Sequence, residues 1–381
     1  MSDLRDRFRS LDELEVPDVH ARARAIGPKR PDELTAPTAR RVGVAVLALT
    51  IAAAAFGFLL RTRSPDPTVA PIAPVTIPQN AVVFGWSTSD RANASQELSS
   101  VPSDGGPVTS LNVTAPGDAA GEAAWSLDGA RLAFVMGPAA HVHDYAGDGD
   151  LYVLDVATGA LTQLTTGLDA SYPSWSPDGS ELVFVSGQGA ALSVIGSDGT
   201  DRSVIAEARG YYENPSWSPD GSTIAFQSLV TPEVLEHVAI FTVRSDGSDV
   251  RQLTDGSASE GFPSWSPDGR RIAYSAGDRL WIMEADGTDP QPATRCALPC
   301  VADFAPTWSP DGSSIAFVRQ EDGGAARRLY VADVATGDVR ALTPGIRWVD
   351  RPAWRPGSAA PPVTSTPSPM PAAQGLLAFA F

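Results

Sequence analysis

The sequence predicts an all-β chain, a six-bladed β-propeller of four-stranded blades preceded by one transmembrane helix. Three observations carry the prediction: a tryptophan-centred segment recurring every 42–50 residues, a Pro-Asp-Gly turn inside it, and one isolated apolar run near the N-terminus. Composition agrees. With 43% hydrophobic and 19% charged residues among 381, the chain is too apolar to be disordered throughout, and 33 Pro with 34 Gly speak against a long helical design. The net charge of −17 excludes a nucleic-acid backbone or an anionic bilayer surface as the main ligand. Two cysteines, Cys296 and Cys300, exclude a disulfide scaffold and any four-cysteine metal site.

Residues 1–41 come first, with 9 basic and 8 acidic side chains. Leu4, Phe8 and Leu11 recur at helical spacing, and Pro17 ends the run. This cytoplasmic tail is expected either to dock a cytoplasmic partner or to lie on the membrane surface. Residues 42–60 follow, with Thr50 the sole polar side chain. As a helix this stretch is about 28 Å long, close to the thickness of a hydrocarbon core. The 41 residues before it fit an anchor better than a cleaved signal peptide. Lys29, Arg30, Arg40 and Arg41 precede it and only Arg61 and Arg63 follow closely, which places the N-terminus in the cytoplasm and the remainder outside. Residues 64–381 carry 17 basic and 37 acidic side chains. In an oxidising compartment Cys296 and Cys300 can form a local disulfide. Residues 61–80 hold Pro65, Pro67, Pro71, Pro74 and Pro78 and read as an extended stalk with a reach of about 50 Å.

From residue 81 to 356 one pattern repeats. Pro173, Trp175, Pro177, Asp178 and Gly179 precede Leu182-Val183-Phe184, and the same order recurs around Trp217, Trp265 and Trp308. Weaker copies surround Trp125, without either proline, and Trp354, without the aspartate. Pro sets φ near −65°, Asp tolerates the tight turn and Gly supplies positive φ, so one strand enters and a second leaves. Runs such as Leu182 to Val185 are apolar on consecutive positions, which requires both faces of the sheet to be buried. A second hairpin follows through Thr158-Gly159, Asp198-Gly199, Asp246-Gly247, Asp286-Gly287 or Thr336-Gly337. Four antiparallel strands in about 46 residues make a propeller blade. The sixth blade is expected to join the Trp354 strand to residues 81–84; residues 376–381, beyond a Pro/Ser/Thr-rich stretch beginning at 357, are a rival for that place.

The Trp-Ser-Pro-Asp-Gly-x-x-Ile-Ala-Phe pattern resembles the WD40-like repeat of the TolB-type six-bladed propellers, over about three quarters of the chain. The resemblance implies a periplasmic or surface propeller that binds proteins or small ligands. It does not say which.

The repeated tryptophans, Trp125, Trp175, Trp217, Trp265, Trp308 and Trp354, are read as blade packing. Function is expected on the face carrying the irregular loops, opposite the short turns. There an acid precedes each tryptophan by three to six residues: Glu122, Asp169, Glu213, Glu260, Asp303 and Asp350. These six form the candidate ligand-binding set at the channel mouth, for a cation or a basic peptide. The competing reading is that each accepts backbone hydrogen bonds and fixes its own connection. Tyr172, Tyr211, Tyr212, Phe262, Phe304 and Trp348 form a candidate aromatic rim. His141 and His143, beside Asp144 and Asp148, have a metal-like spacing, but a polar loop is the preferred reading and no metal or other cofactor is expected. A hydrolase domain would need a Gly-x-Ser-x-Gly elbow, which does not occur. The expectation is thus a single-pass membrane protein whose extracytoplasmic propeller binds a protein or small ligand without catalysis. The alternatives are a transmembrane regulator with an anti-sigma-like tail, and a propeller hydrolase or lyase.

Overall fold

The computed structural model describes residues 68–69, 75–87, 96–114, 118–138, 149–187, 189–207, 212–231, 237–297, 299–346 and 348–357. All belong to the compact unit Ser64–Phe381. The expected tail 1–41, the expected transmembrane helix 42–60, His141, His143 and the rival strand 376–381 lie outside the described residues. Among the described residues no helix is long and apolar enough to cross a membrane.

Blade 1 comprises Asp118–Trp125, Arg131–Pro138, Asp150–Asp155 and Leu161–Gln163. Blade 2 runs from Ser171–Trp175 through Glu181–Ser186 and Ala191–Gly196 to Ser203–Glu207. Blade 3 runs from Tyr212–Trp217 to Arg251–Gln252, blade 4 from Gly261–Trp265 to Gln291–Pro292, and blade 5 from Cys300–Trp308 to Val339–Ala341. In blade 6 the strand Trp348–Trp354 pairs antiparallel with Ala81–Ser87, Val82 opposite Trp354, and Gln96–Pro102 and Thr109–Ser110 complete the sheet. The first strands of the six blades touch one another in sequence and close a ring around a channel. A parallel bridge between Arg327 and Trp348 also links blades 5 and 6.

The core lies between blades, not within them. Leu182 and Phe184 pack with Ala133, Leu151 and Trp175 toward blade 1, while Val183 and Val185 pack with Ile224, Phe226 and Val243 toward blade 3. Successive side chains of a strand point to opposite faces, so a blade with two neighbours must be apolar at every position. Phe84, Phe134, Phe184, Phe226 and Phe317, one per second strand, are fully buried, with Tyr274 the counterpart in blade 4.

Each Pro-Asp-Gly turn is closed by its serine. Gly179 N–H donates to the Ser176 carbonyl at 2.9 Å, Ser176 Oγ donates to Asp178 Oδ1 at 2.7 Å, and Glu181 N–H donates to Ser176 Oγ at 2.9 Å. Ser126, Ser218, Ser266 and Ser309 repeat the arrangement. These hydrogen bonds hold the Asp178 carboxyl below the usual carboxylate range, led by the Ser180 N–H.

Two stretches of the expected stalk lie against the propeller. Thr68–Val69 pairs with Leu161 and Thr162 as a fifth strand on blade 1. Ile77 is buried in the cluster between blades 6 and 1. An added strand covers an edge that would otherwise present unpaired backbone groups.

Candidate functional site

Each inner strand carries an extra residue relative to its partner a few residues before its tryptophan, and Cys300–Trp308 carries a second one between Cys300 and Ala302. The register slips between Gly121 and Ala124, between Ser171 and Ser174, and at the matching points of the other four blades. The residue three before the tryptophan sits at each slip. Glu122, Tyr172, Asn214, Phe262 and Ala305 have φ of 55°, 57°, 58°, 56° and 52°, a left-handed conformation that is costly for such side chains. A β-bulge re-aims a side chain, and proline is tolerated there because it has no ladder hydrogen to lose. Pro173, Pro215, Pro263 and Pro306 follow four of these positions, Ala123 follows Glu122, and Pro352 follows Arg351, the corresponding residue of blade 6.

The bulged residues converge on the channel mouth, a cavity of about 90 Å³ lined by Glu122, Tyr172, Asn214, Phe262, Ala305 and Arg351. Arg351, from blade 6, crosses the axis: its guanidinium carbon lies 4.0 Å from the Tyr172 ring centroid and 5.0 Å from that of Phe262. On the turn side of this layer the channel widens to about 450 Å³, walled by the repeat prolines and tryptophans.

Polar bonds tie the mouth together. Tyr172 N–H donates to Glu122 Oε2 at 2.6 Å, so a blade 1 carboxylate holds the blade 2 bulge. Gln227 accepts from Phe262 N–H at 2.8 Å and from Asn214 Nδ2 at 2.6 Å, and donates to Glu213 Oε2 at 2.6 Å. Asn214 is buried, yet its Oδ1 meets no donor. Burial pushes the Glu122 carboxyl up to about 7, with Arg351 opposing and Asp350 and Glu213 adding to the rise. Burial also raises Glu213, again opposed by Arg351.

The six acids do not share one register. Glu122 lies in the mouth, and Glu213 and Asp350 stand beside it, Asp350 Oδ1 accepting the Arg351 N–H at 2.8 Å. Asp169 stands in the blade 1–2 connection at φ 47°. Glu260 is buried, accepting from Ala258 N–H at 3.3 Å while Oε2 has no donor. Asp303 is buried in blade 5, bound by Arg319 at 2.7 and 2.8 Å and by Thr294 Oγ1 at 2.7 Å. Cys296, Cys300 and Asp303 are the one group of potential metal ligands within reach of each other among the described residues. The sulfurs are joined in a disulfide and the carboxylate is held by Arg319, so this group is structural.

Of the rim aromatics, Tyr172 and Phe262 enter the channel, and Phe262 lies 5.7 Å from Phe304. Tyr212 packs edge-on to Phe226 at 5.3 Å. Trp348 and Phe304 flank the Arg327 guanidinium at 5.7 and 5.3 Å. Tyr211 is outside the described residues. Sequence reasoning missed Arg351, Asn214 and Gln227. The signal for the first two was the proline that follows each, which marks a bulge inside a strand.

With this geometry in view, residues 110–278 match the family model for the TolB β-propeller domain. Over that stretch the chain is similar to the TolB-type β-propellers. A TolB structure from Acinetobacter baumannii aligns at 18% identity over 76% of this chain and 69% of that one, with a TM-score of 0.58. A putative TolB from Agrobacterium tumefaciens aligns at 19% identity over 74% and 93%, TM-score 0.51. A chain of a nidogen/laminin complex aligns at 12% identity over 72% and 98%, TM-score 0.56. At these identities the likeness speaks for the fold. No curated protein matches the sequence.

Proposed function

We propose that the chain is a membrane-anchored, extracytoplasmic propeller that binds a protein through its channel mouth, without catalysis. The observation that supports this best is the mouth itself, where Asn214 Oδ1 is buried without a donor beside Glu122, Glu213 and Arg351. An unmet buried acceptor costs about 1–3 kcal/mol and is relieved when a partner supplies a donor. A volume of about 90 Å³ accepts the tip of one side chain. Partly buried aromatics at the rim, Phe304 and Trp348, add contact area of the kind enriched at protein interfaces. The anchor in this proposal is the apolar run 42–60, and the basic residues before it orient the propeller outward.

The test is photo-crosslinking of the intact protein in its native membrane, comparing wild type with Asn214→Leu and Arg351→Ala. The expected result is a defined protein captured by wild type and reduced at least about tenfold in both variants, as loss of a central polar anchor predicts. Undiminished capture by both variants would move the binding site elsewhere. Capture of a cytoplasmic protein that is lost on deleting residues 1–41 would favour a signalling role for the tail.

A further inference from the structure

The six repeat tryptophans are served unequally by their neighbours. Arg131 of blade 1 places its guanidinium 4.5 Å from the Trp175 ring centroid of blade 2 and donates to the Gly179 carbonyl at 2.7 Å. Arg355 treats Trp125 the same way, 5.0 Å from the ring, donating to the Gly129 carbonyl at 3.1 and 2.9 Å. Arg271 of blade 4 covers Trp308 of blade 5 at 5.0 Å. Two indoles without an arginine have another partner: Trp217 Nε1 donates to the Gly221 carbonyl at 3.1 Å, and Trp354 Nε1 to Asn80 Oδ1 at 2.6 Å.

Trp265 has neither. Thr223 of blade 3 occupies the position held by Arg131 in blade 1 and Arg271 in blade 4, the second residue after the turn glycine. Trp265 Nε1 is buried without an acceptor, and the Gly269 carbonyl accepts no hydrogen bond among the described residues. Where the arginine would lie there is a cleft of about 460 Å³ on the turn face, bounded by Thr223, Trp265, Gly269, Asp220, Asp268 and Asp286. Each of these aspartates engages its turn through Oδ1, and Oδ2 makes no hydrogen bond among the described residues. Arg244 and Arg251 also line the cleft, but Asp249 pairs with both, at 3.6 and 2.7 Å.

We propose that this cleft receives an arginine side chain of a partner protein, its guanidinium stacked on Trp265 and bonded to the Gly269 carbonyl. The chain itself shows the geometry with Arg131 and Arg355, and the surrounding carboxylates supply the complementary charge. A planar fork suits the site and an ammonium does not. Trp265 Nε1, like Trp125 Nε1 beneath Arg355, is buried without an acceptor, and a peptide backbone brings one that a free guanidinium ion lacks. This site is on the face opposite the channel mouth and does not depend on that reading.

Calorimetric titration of the full chain with acetyl-Gly-Arg-Gly-amide, its lysine counterpart and guanidinium chloride tests the proposal. The arginine peptide is expected to bind saturably, at least about tenfold tighter than either control. Thr223→Arg fills the cleft with an internal guanidinium; it should abolish binding and raise the melting temperature. Trp265→Leu should also abolish binding, whereas Thr223→Ser should leave affinity within about twofold, since neither threonine nor serine reaches the ring. No saturable binding by wild type, equal affinity for the lysine peptide or guanidinium ion, or unchanged binding by the Thr223→Arg and Trp265→Leu variants overturns it.

Discussion

Ser176 is buried within its turn, and its hydroxyl both accepts from Glu181 N–H and donates to Asp178. Removing it takes away both hydrogen bonds at once, each worth about 0.5–1.5 kcal/mol, so Ser176→Ala should cost about 1–3 kcal/mol in urea-monitored unfolding. The exposed Ser180 hydroxyl also reaches Asp178 but has water as a substitute, so Ser180→Ala should cost less than about 1 kcal/mol. Glu122 makes a pH-dependent prediction. Its carboxyl ordinarily titrates at 4.5 but at about 7 in the fold, so between these values the folded chain holds a proton that the unfolded chain has released. Stability from this group is therefore full below pH 4.5, falls as pH rises through that window, and is flat beyond about 7. Unfolding of wild type and Glu122→Gln across pH 4–8 should show the difference between them declining in the same direction. At this scale the sequence revealed the aspartate's turn role. It did not reveal the serine, because nothing in the pattern tells a buried hydroxyl from an exposed one.

The blade is stable only through its neighbours, and the joints between blades differ. Between blades 6 and 1, Arg355 is buried and bonds to the carbonyls of Gly129 and Ile77 while covering Trp125. Arg355→Ala leaves both carbonyls without their charged donor and should cost roughly 3 kcal/mol by chemical unfolding, as removal of hydrogen bonds to a charged group does. Between blades 1 and 2, Phe184→Ala should cost about 3–5 kcal/mol, the usual range for a large aromatic removed from a filled core. The strands themselves were legible: consecutive apolar residues such as Leu182 to Val185 required two buried faces, and separate clusters occupy them. The inner-strand bulge was not read. The six acids stand in a band three to six residues before the tryptophan, whereas the channel is lined by one register position, occupied by Glu, Tyr, Asn, Phe, Ala and Arg.

For the whole molecule, closure depends on the strand Trp348–Trp354 pairing with Ala81–Ser87, segments more than 260 residues apart. A chain ending at Ile346 lacks that strand and exposes the edges of two blades. It should lose the single cooperative transition in thermal unfolding and bind a hydrophobic dye at temperatures where the full chain does not. Residue order alone determined the repeat, its turns and the number of blades, because each follows from local backbone preference and from alternation along a strand, whereas the pairing of Ala81–Ser87 with Trp348–Trp354 came from the structure. Which side chains meet across the channel, and which tryptophan lacks both an arginine and a hydrogen-bond partner, was decided only by the tertiary structure. Those contacts join residues from different blades, such as Arg351 with Tyr172 and Phe262, and their distances are set by ring closure, which no single repeat contains.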